Sequence, residues 1–367
     1  MMPPSMEATL PMLVSRYTLK DIFNAKEFGL YYQCLPGKIG HFKEEECVDG
    51  KHSSTRFTVG AVANAFGERL EIFVIGKCAN PCSSEDVKDI PCRYRSQRKS
   101  WMDSSLFEEW VRELDSRFGE SGRKIALVIS DSSAHPEVDG LQWVELIFVP
   151  PKTELMTQPM DHGIIRALKT KFRSLAVKKQ VMDCGKNNKL SKFSISAVMA
   201  MLVQAWHSIP FQTFTTSFKK AGLVIEATER ITNEDGDQFT INILKELEAD
   251  LQKLKEIFGL DYQLTAEQLV NIDSQLSVSG TLSDADIIAG VYGNSVDLSD
   301  DEHDQPEEKI VLRPSKKSVS DAIKTLEDYS VFSKFGPDVM TALKQIQRAI
   351  DLDDQLTNTS NETSEIE

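Results

Sequence analysis

A mixed α/β sheet with flanking helices, followed by an α-helical C-terminal region, is the architecture this sequence predicts. Three observations point there. Apolar, β-rich segments crowd the first 80 residues. Helical and strand patterns then alternate between residues 103 and 179. From residue 192 onward the periodicity is mostly helical. A strand-rich start followed by alternation builds one sheet with helices on its faces.

Residues 1 to about 20 read as a short helix leading into a first strand, "DIFNA". A loop rich in glycine and charge follows, Gly37 to Ser54. "RFTVGAVANAF" and "RLEIFVIG" are both apolar and β-rich, with Gly67 between them, and so predict a hairpin. Residues 77–102 are polar and carry cysteines, the pattern of a loop. "DSSLFEEWVRELDSRF" is an amphipathic helix. Asp103 or Ser104 caps it, and Leu106, Phe107, Trp110, Val111 and Leu114 form its apolar stripe. "RKIALVIS" has apolar residues at successive positions, as a strand buried on both faces requires. "WVELIFVP" is another strand, stopped by Pro150 and Pro151. "QPMDHGIIRALKTKFRSLAVKK" is a helix with Ile164, Ile165, Leu168 and Phe172 inward. The order strand, strand, strand, helix, strand, strand, helix is that of the ribonuclease H-like fold. Further helices are predicted near 192–222, 242–257, 264–276, 317–334 and 336–351. The resulting division is a sheet domain at 17–180, a helical region at 190–290, an acidic linker at 293–314, C-terminal helices at 315–351 and a disordered tail at 352–367.

The chain of 367 residues is long enough for a substantial core. No apolar run approaches the roughly 20 residues of a membrane-spanning helix, and "MMPPSMEATLPMLVSRY" lacks the basic and apolar regions of a signal peptide. An intracellular protein with reduced thiols is expected. The spacing of Cys78, Cys82 and Cys92 fits no standard zinc ligand pair. A net charge of −14 argues against general DNA coating. The charge is uneven, however: between Arg166 and Lys192 only Asp183 opposes the basic residues, which leaves room for a local phosphate-binding face.

Five blocks in order, "DIFNAKEFGLYYQCLP", "GERLEIFVIGKCANP", "WMDSSLFEEWVRELD", "LVISDSSAHP" and "LIFVPPKTELMTQPMDHGIIRALKTKFR", resemble the DDE endonuclease domain of pogo-superfamily transposases. That group includes Tigger-type elements, jerky-like proteins and centromere protein B. The resemblance covers roughly Tyr17 to Arg173, and "AVMAMLVQAWHSIPFQTFTTSFKKAGL" looks like the helical segment that follows in Tigger-type proteins.

The resemblance implies DNA strand cutting and joining with two divalent metals. Such metals need converging carboxylates from separate parts of the sheet. The family's three acidic positions fall here on Lys26, Ser130 and Asp161, so the triad is expected to be degenerate. Asp131 is a possible substitute carboxylate, one residue beyond Ser130. A one-residue shift on a strand sends a side chain to the opposite face. No cofactor is expected; Mg2+ enters only in the alternative reading, a metal-dependent endonuclease or strand transferase using Asp131 and Asp161. The lysine ammonium is expected to occupy the metal's place and to pair with Asp161.

Nucleic-acid contacts are expected from "RYRSQRKSW", through Arg93, Arg95, Arg98 and Lys99, and from Arg166 and Lys169. The family's members carry two helix-turn-helix units that read DNA sequence. The residues here supply none, so weak, sequence-independent binding is expected. The acidic 284–308 segment and the C-terminal helices are candidate surfaces for a protein partner. The expected role is nucleic-acid or chromatin association in the nucleus, with no membrane contact.

Overall fold

The computed structural model describes residues 13–33, 56–78, 91–150, 158–187, 192–223, 233–258, 264–280 and 324. The chain divides into two units, Met1–Leu254 with Tyr262–His303, and Lys255–Asp261 with Asp304–Glu367. The sheet and the site belong to the first. Among the described residues the second contains only 255–258 and 324. The acidic segment 284–308, the linker, the tail and all but one residue of the C-terminal helices lie outside the described residues.

Among the described residues six strands form one mixed sheet in the order β4-β3-β2-β1-β5-β6. They are β1 (Ile22–Tyr31), β2 (Arg56–Asn64), β3 (Phe73–Gly76), β4 (Arg93–Ser96), β5 (Ile125–Ser130) and β6 (Val144–Val149). β1 and β2 are antiparallel, as are β2 and β3, which is the predicted hairpin. β1 and β5 run parallel, and so do β5 and β6. The central order, with β5 returning beside β1, is ribonuclease H-like.

The helices are α1 (Ser104–Glu120), α2 (Ile164–Asn187), α3 (Ile195–Ser208), α4 (Phe211–Lys220), α5 (Asn233–Phe258) and α6 (Ala266–Asn271). Asp103 caps α1 by accepting from the Leu106 N–H at 3.0 Å. α1 covers one face of the sheet, where Phe107, Trp110, Val111 and Leu114 pack with Phe23, Ala25, Val62, Leu127 and Ile129. The other face packs Phe28, Leu30, Val59, Ala61, Ala126 and Val128 against Leu168, Phe172, Leu202 and Trp206 of α2 and α3. Period-two alternation along β1 therefore sorts its residues. Odd positions from 23 face α1 and even positions face α2.

Three expectations change. Residues 77–102 are not all loop: "RYRS" adds an edge strand parallel to β3. The helix expected from residue 158 opens instead as a 3-10 helix, Pro159–His162, and breaks at Gly163, whose φ of 135° only glycine tolerates well. The helix expected over 192–222 is two, divided at Pro210, which precedes α4. Among the described residues no helix is long and apolar enough to cross a membrane.

Candidate functional site

The parallel register of β1 on β5 sets Asn24 opposite Val128. Two residues further along each strand stand Lys26 and Ser130, on the same α2-facing side. The Lys26 ammonium lies 3.4 Å from Ser130 Oγ. The 3-10 helix brings Asp161 to the same place, with its Oδ2 3.3 Å from Lys26 Nζ. Their side chains are 20% and 25% exposed, so the pair sits in a cleft open to solvent.

A buried amide relay fixes this geometry. The Met160 N–H donates to Asn24 Oδ1 at 2.9 Å, and Asn24 Nδ2 donates to the Val128 carbonyl at 3.0 Å. A backbone N–H can only donate and a carbonyl can only accept, so the Asn24 amide has one possible orientation. Its Nδ2 also points at Gln158 Oε1, 3.4 Å away, which turns Gln158 Nε2 toward Ser130 Oγ at 2.9 Å. Asn24 is 1% exposed and Gln158 fully buried. The relay ties the 3-10 helix to β1 and β5, and so holds Asp161 against Lys26. Sequence reading passed over both amides. Their signal was a lone asparagine in apolar "IFNA" and a glutamine opening "QPMD".

The two neighbours of the predicted positions point elsewhere. Glu27 lies on the α1 side, its carboxylate 3.1 Å from His135 Nε2. His135 Nδ1 is 2.8 Å from the Ser130 carbonyl, and its ring lies 4.6 Å from that of Phe107. Nδ1–H therefore donates to the carbonyl, and Nε2 and the Glu27 carboxyl share a proton between them. Burial pushes the Glu27 carboxyl up, but the charge and hydrogen bond of His135 outweigh it and the carboxyl sits below its ordinary value. Asp131 is exposed; its backbone N–H bonds the Val149 carbonyl at 2.8 Å, continuing the β5–β6 ladder. Among the described residues no three His, Cys, Asp or Glu side chains gather as a metal site.

The expected nucleic-acid residues separate into buried, paired and exposed groups. Lys169 is a correction: it is 9% exposed and pairs with Asp273, its ammonium 5.3 Å from the Phe28 ring centre. Asp273 also takes Arg173 at 2.6 Å, deep in the core. A cation so enclosed cannot reach a phosphate. Arg93 and Arg95 face α1, where Glu109 meets them at 3.2 and 2.7 Å and Glu113 joins both. Hydrogen bonding from Arg95, followed by its charge, holds the Glu109 carboxyl low against the effect of burial. Lys99 sits 4.9 Å from the Trp101 ring centre. Arg98 is exposed, and Arg166 is exposed beside Glu267 at 3.0 Å.

The chain is similar to known proteins over part of its length. Residues 54–218 match the DDE superfamily endonuclease family. Tigger transposable element-derived protein 4 of Mus musculus is 33% identical over 58% of this chain and 42% of its own length. Jerky protein homolog of Homo sapiens is 29% identical over 59% of this chain and 39% of its own. Major centromere autoantigen B of Homo sapiens is 25% identical over 58% of this chain and 35% of its own. The chain thus spans less than half the length of these relatives. Among solved structures, the Mos1 transposase paired-end complex with left transposon end covers 65% of this chain and 59% of its own, at a TM-score of 0.35 and 8% identity. The segment 54–218 is therefore similar to a DDE superfamily endonuclease domain. The curated proteins that it resembles are thus Tigger transposable element-derived, jerky and centromere autoantigen B proteins.

Proposed function

We propose that this chain is a transposase-derived protein whose DDE cleft no longer cuts DNA, and that it serves in nucleic-acid or chromatin association in the nucleus. One observation carries the reading: the ammonium of Lys26 is ion-paired with Asp161 at 3.3 Å, in the cleft where the family resemblance puts metal-bridging acids. Two divalent ions held for strand transfer need several hard carboxylate oxygens. The cleft offers one carboxylate, already neutralised, beside a hydroxyl and a carboxamide. That donor set does not fit a pair of magnesium ions, and no step is assigned to them.

The alternative, an endonuclease using Asp131 and Asp161, is less well supported. Asp131 is exposed beyond the end of β5, and among the described residues its side chain makes no hydrogen bond or ion pair with Lys26, Ser130 or Asp161. The nucleic-acid part of the proposal draws on the kinship with centromere autoantigen B and on the exposed cations Arg98 and Arg166. The test is nicking of supercoiled plasmid in magnesium and in manganese, by wild type, Asp131→Asn and Asp161→Asn. No nicking above a protein-free control is expected from any of them. Metal-dependent nicking that Asp161→Asn abolishes would overturn the reading.

A further inference from the structure

The sheet ends differently at its two edges. At one edge β4 is "RYRS", and its arginines are taken up by Glu109 and Glu113 of α1. At the other, β6 is "VELIFV", and its single charged residue is already engaged. Glu145 accepts from Arg16 Nη2 and from the Tyr17 hydroxyl, each at 2.6 Å. The ladder on β5 decides which backbone groups of β6 are used. The Ile125 N–H donates to the Trp143 carbonyl and the Asp131 N–H to the Val149 carbonyl, both at 2.8 Å. Odd-numbered residues of β6 therefore turn toward β5, while Val144, Leu146 and Phe148 turn their N–H and C=O groups away from the sheet. The Val144 N–H is satisfied by Asp115 Oδ1 at 2.8 Å. Among the described residues nothing bonds the outward N–H and C=O groups of Leu146 and Phe148. Natural sheets blunt such an edge with lysine, proline or a bulge. "LIF" has no such residue, its register with β5 is unbroken, and all three side chains are only half-buried. A groove of about 540 Å³ lies beside the strand, with Tyr17, Leu141, Trp143, Leu146 and Phe148 in its lining.

The charge around this edge selects its occupant. Where β6 begins, the Asp115 carboxylate accepts from the backbone N–H groups of Gln142, Trp143 and Val144. Glu137 and Asp139 stand beside the same groove, opposed by Lys124; all three are exposed and, among the described residues, form no ion pair. Arg112 reaches the Asp139 carbonyl at 3.2 Å but is held by Glu108 at 2.7 Å. Where β6 ends, Asp131 is exposed. A second copy pairing antiparallel through the same edge would bring its Asp131 end toward Glu137 and Asp139, acid against acid, between chains of charge −14 each. We propose that the β6 edge binds an extended segment of a basic partner protein as an added strand. The main chain of that segment exchanges hydrogen bonds with Leu146 and Phe148. Apolar side chains at its alternate positions pack on the same two residues, on the α1 side of the sheet. Its lysines or arginines meet Glu137 and Asp139. The site is separate from the Lys26 cleft and does not depend on the nucleic-acid reading.

The experiment uses the full chain and three fluorescein-labelled peptides, followed by anisotropy. One alternates valine and threonine between flanking lysines; the second has the same core between flanking glutamates. The third is the lysine-flanked peptide N-methylated at alternate amides, which removes main-chain donors. The lysine-flanked peptide is expected to bind about fivefold more tightly than the glutamate-flanked one, as two exposed charge pairs allow. Glu137→Lys combined with Asp139→Lys should reverse that order. N-methylation should weaken binding about tenfold or more, and so should Phe148→Pro, which deletes one outward donor and leaves the ladder to β5 in place. Thermal melting checks that each variant folds; if Phe148→Pro does not, the N-methylated peptide makes the same test on wild type. Equal binding of the N-methylated and unmodified peptides would overturn the proposal. So would failure of the lysine-flanked peptide to bind at millimolar concentration. A wild-type dimer in sedimentation velocity that Phe148→Pro abolishes would assign the edge to a second copy. Displacement of the peptide by duplex DNA would assign it to nucleic acid, and either result overturns the proposal.

Discussion

Glu27 and His135 are ion-paired at 3.1 Å, one residue along β1 from Lys26 and on the opposite face of the sheet. The same imidazole reaches the Ser130 carbonyl at 2.8 Å. One buried charge pair thus clamps the end of β5 to β1 from behind, while Asn24 and Gln158 hold it from the front. The cleft residue Ser130 is positioned from both sides.

This pair gives the protein an acid-sensitive element. The Glu27 carboxyl is held below its ordinary value of 4.5 when folded. Its contribution to stability is complete above that value and is lost as pH falls through the lower, folded one. Glu27→Gln should remove about 1 to 3 kcal/mol at neutral pH, since it replaces a charge-assisted contact to the buried His135 with a neutral one. Thermal melting as a function of pH checks this: wild type should lose stability in acid more steeply than Glu27→Gln. Parallel curves would mean that the pair does not titrate with unfolding.

The buried Asp273 cluster predicts a loss of stability without a loss of affinity. Asp273 joins Lys169 and Arg173 in the core and accepts from the Tyr31 N–H at 3.4 Å. Asp273→Asn leaves two cations under-compensated and should destabilise the fold by about 3 kcal/mol or more. Lys169→Met should lower the melting temperature while leaving the salt dependence of DNA binding unchanged. A reduced salt slope for folded Lys169→Met would show that Lys169 meets phosphate after all.

The exposed cations carry the complementary prediction. Arg98→Ala and Arg166→Ala should each lower the slope of log affinity against log salt by about one, if each residue neutralises one phosphate. Arg95→Ala should change that slope little, because its guanidinium is already engaged by Glu109 and Glu113, and should cost about 1 kcal/mol at most as a largely exposed ion pair. Equal slopes for all three variants would count against a nucleic-acid role for this surface.

How far the sequence disclosed all this follows from the range of each signal. "IALVI" is an uninterrupted apolar run and is buried throughout as β5, a local pattern needing no partner to be read. The Asp103 cap and stripe of α1 were equally local. β4 escaped notice because "RYRS" has no apolar alternation; it is a sheet edge whose arginines are satisfied by acids from α1, residues distant in sequence. The breaks at Gly163 and Pro210 were marked by residue type, yet were absorbed into longer helices. In the site, Lys26, Ser130 and Asp161 were singled out only through the family resemblance; their contact is made by the fold. The Asn24–Gln158 relay was not, because it exists only once the 3-10 helix has folded back onto β1. The unusability of Lys169 was hidden for the same reason: Asp273 lies 104 residues away.

The central claim is that Lys26 stands where a metal-bridging carboxylate would otherwise be. Isothermal calorimetry with magnesium and with manganese tests it most directly, on wild type, Lys26→Asp and the double variant Lys26→Asp with Ser130→Asp. The account predicts no measurable binding by wild type, weak binding of one ion by Lys26→Asp, and clearly tighter binding by the double variant, in which three carboxylates converge with Asp161. Equal binding by all three proteins would contradict it and place residue 26 outside any former metal site.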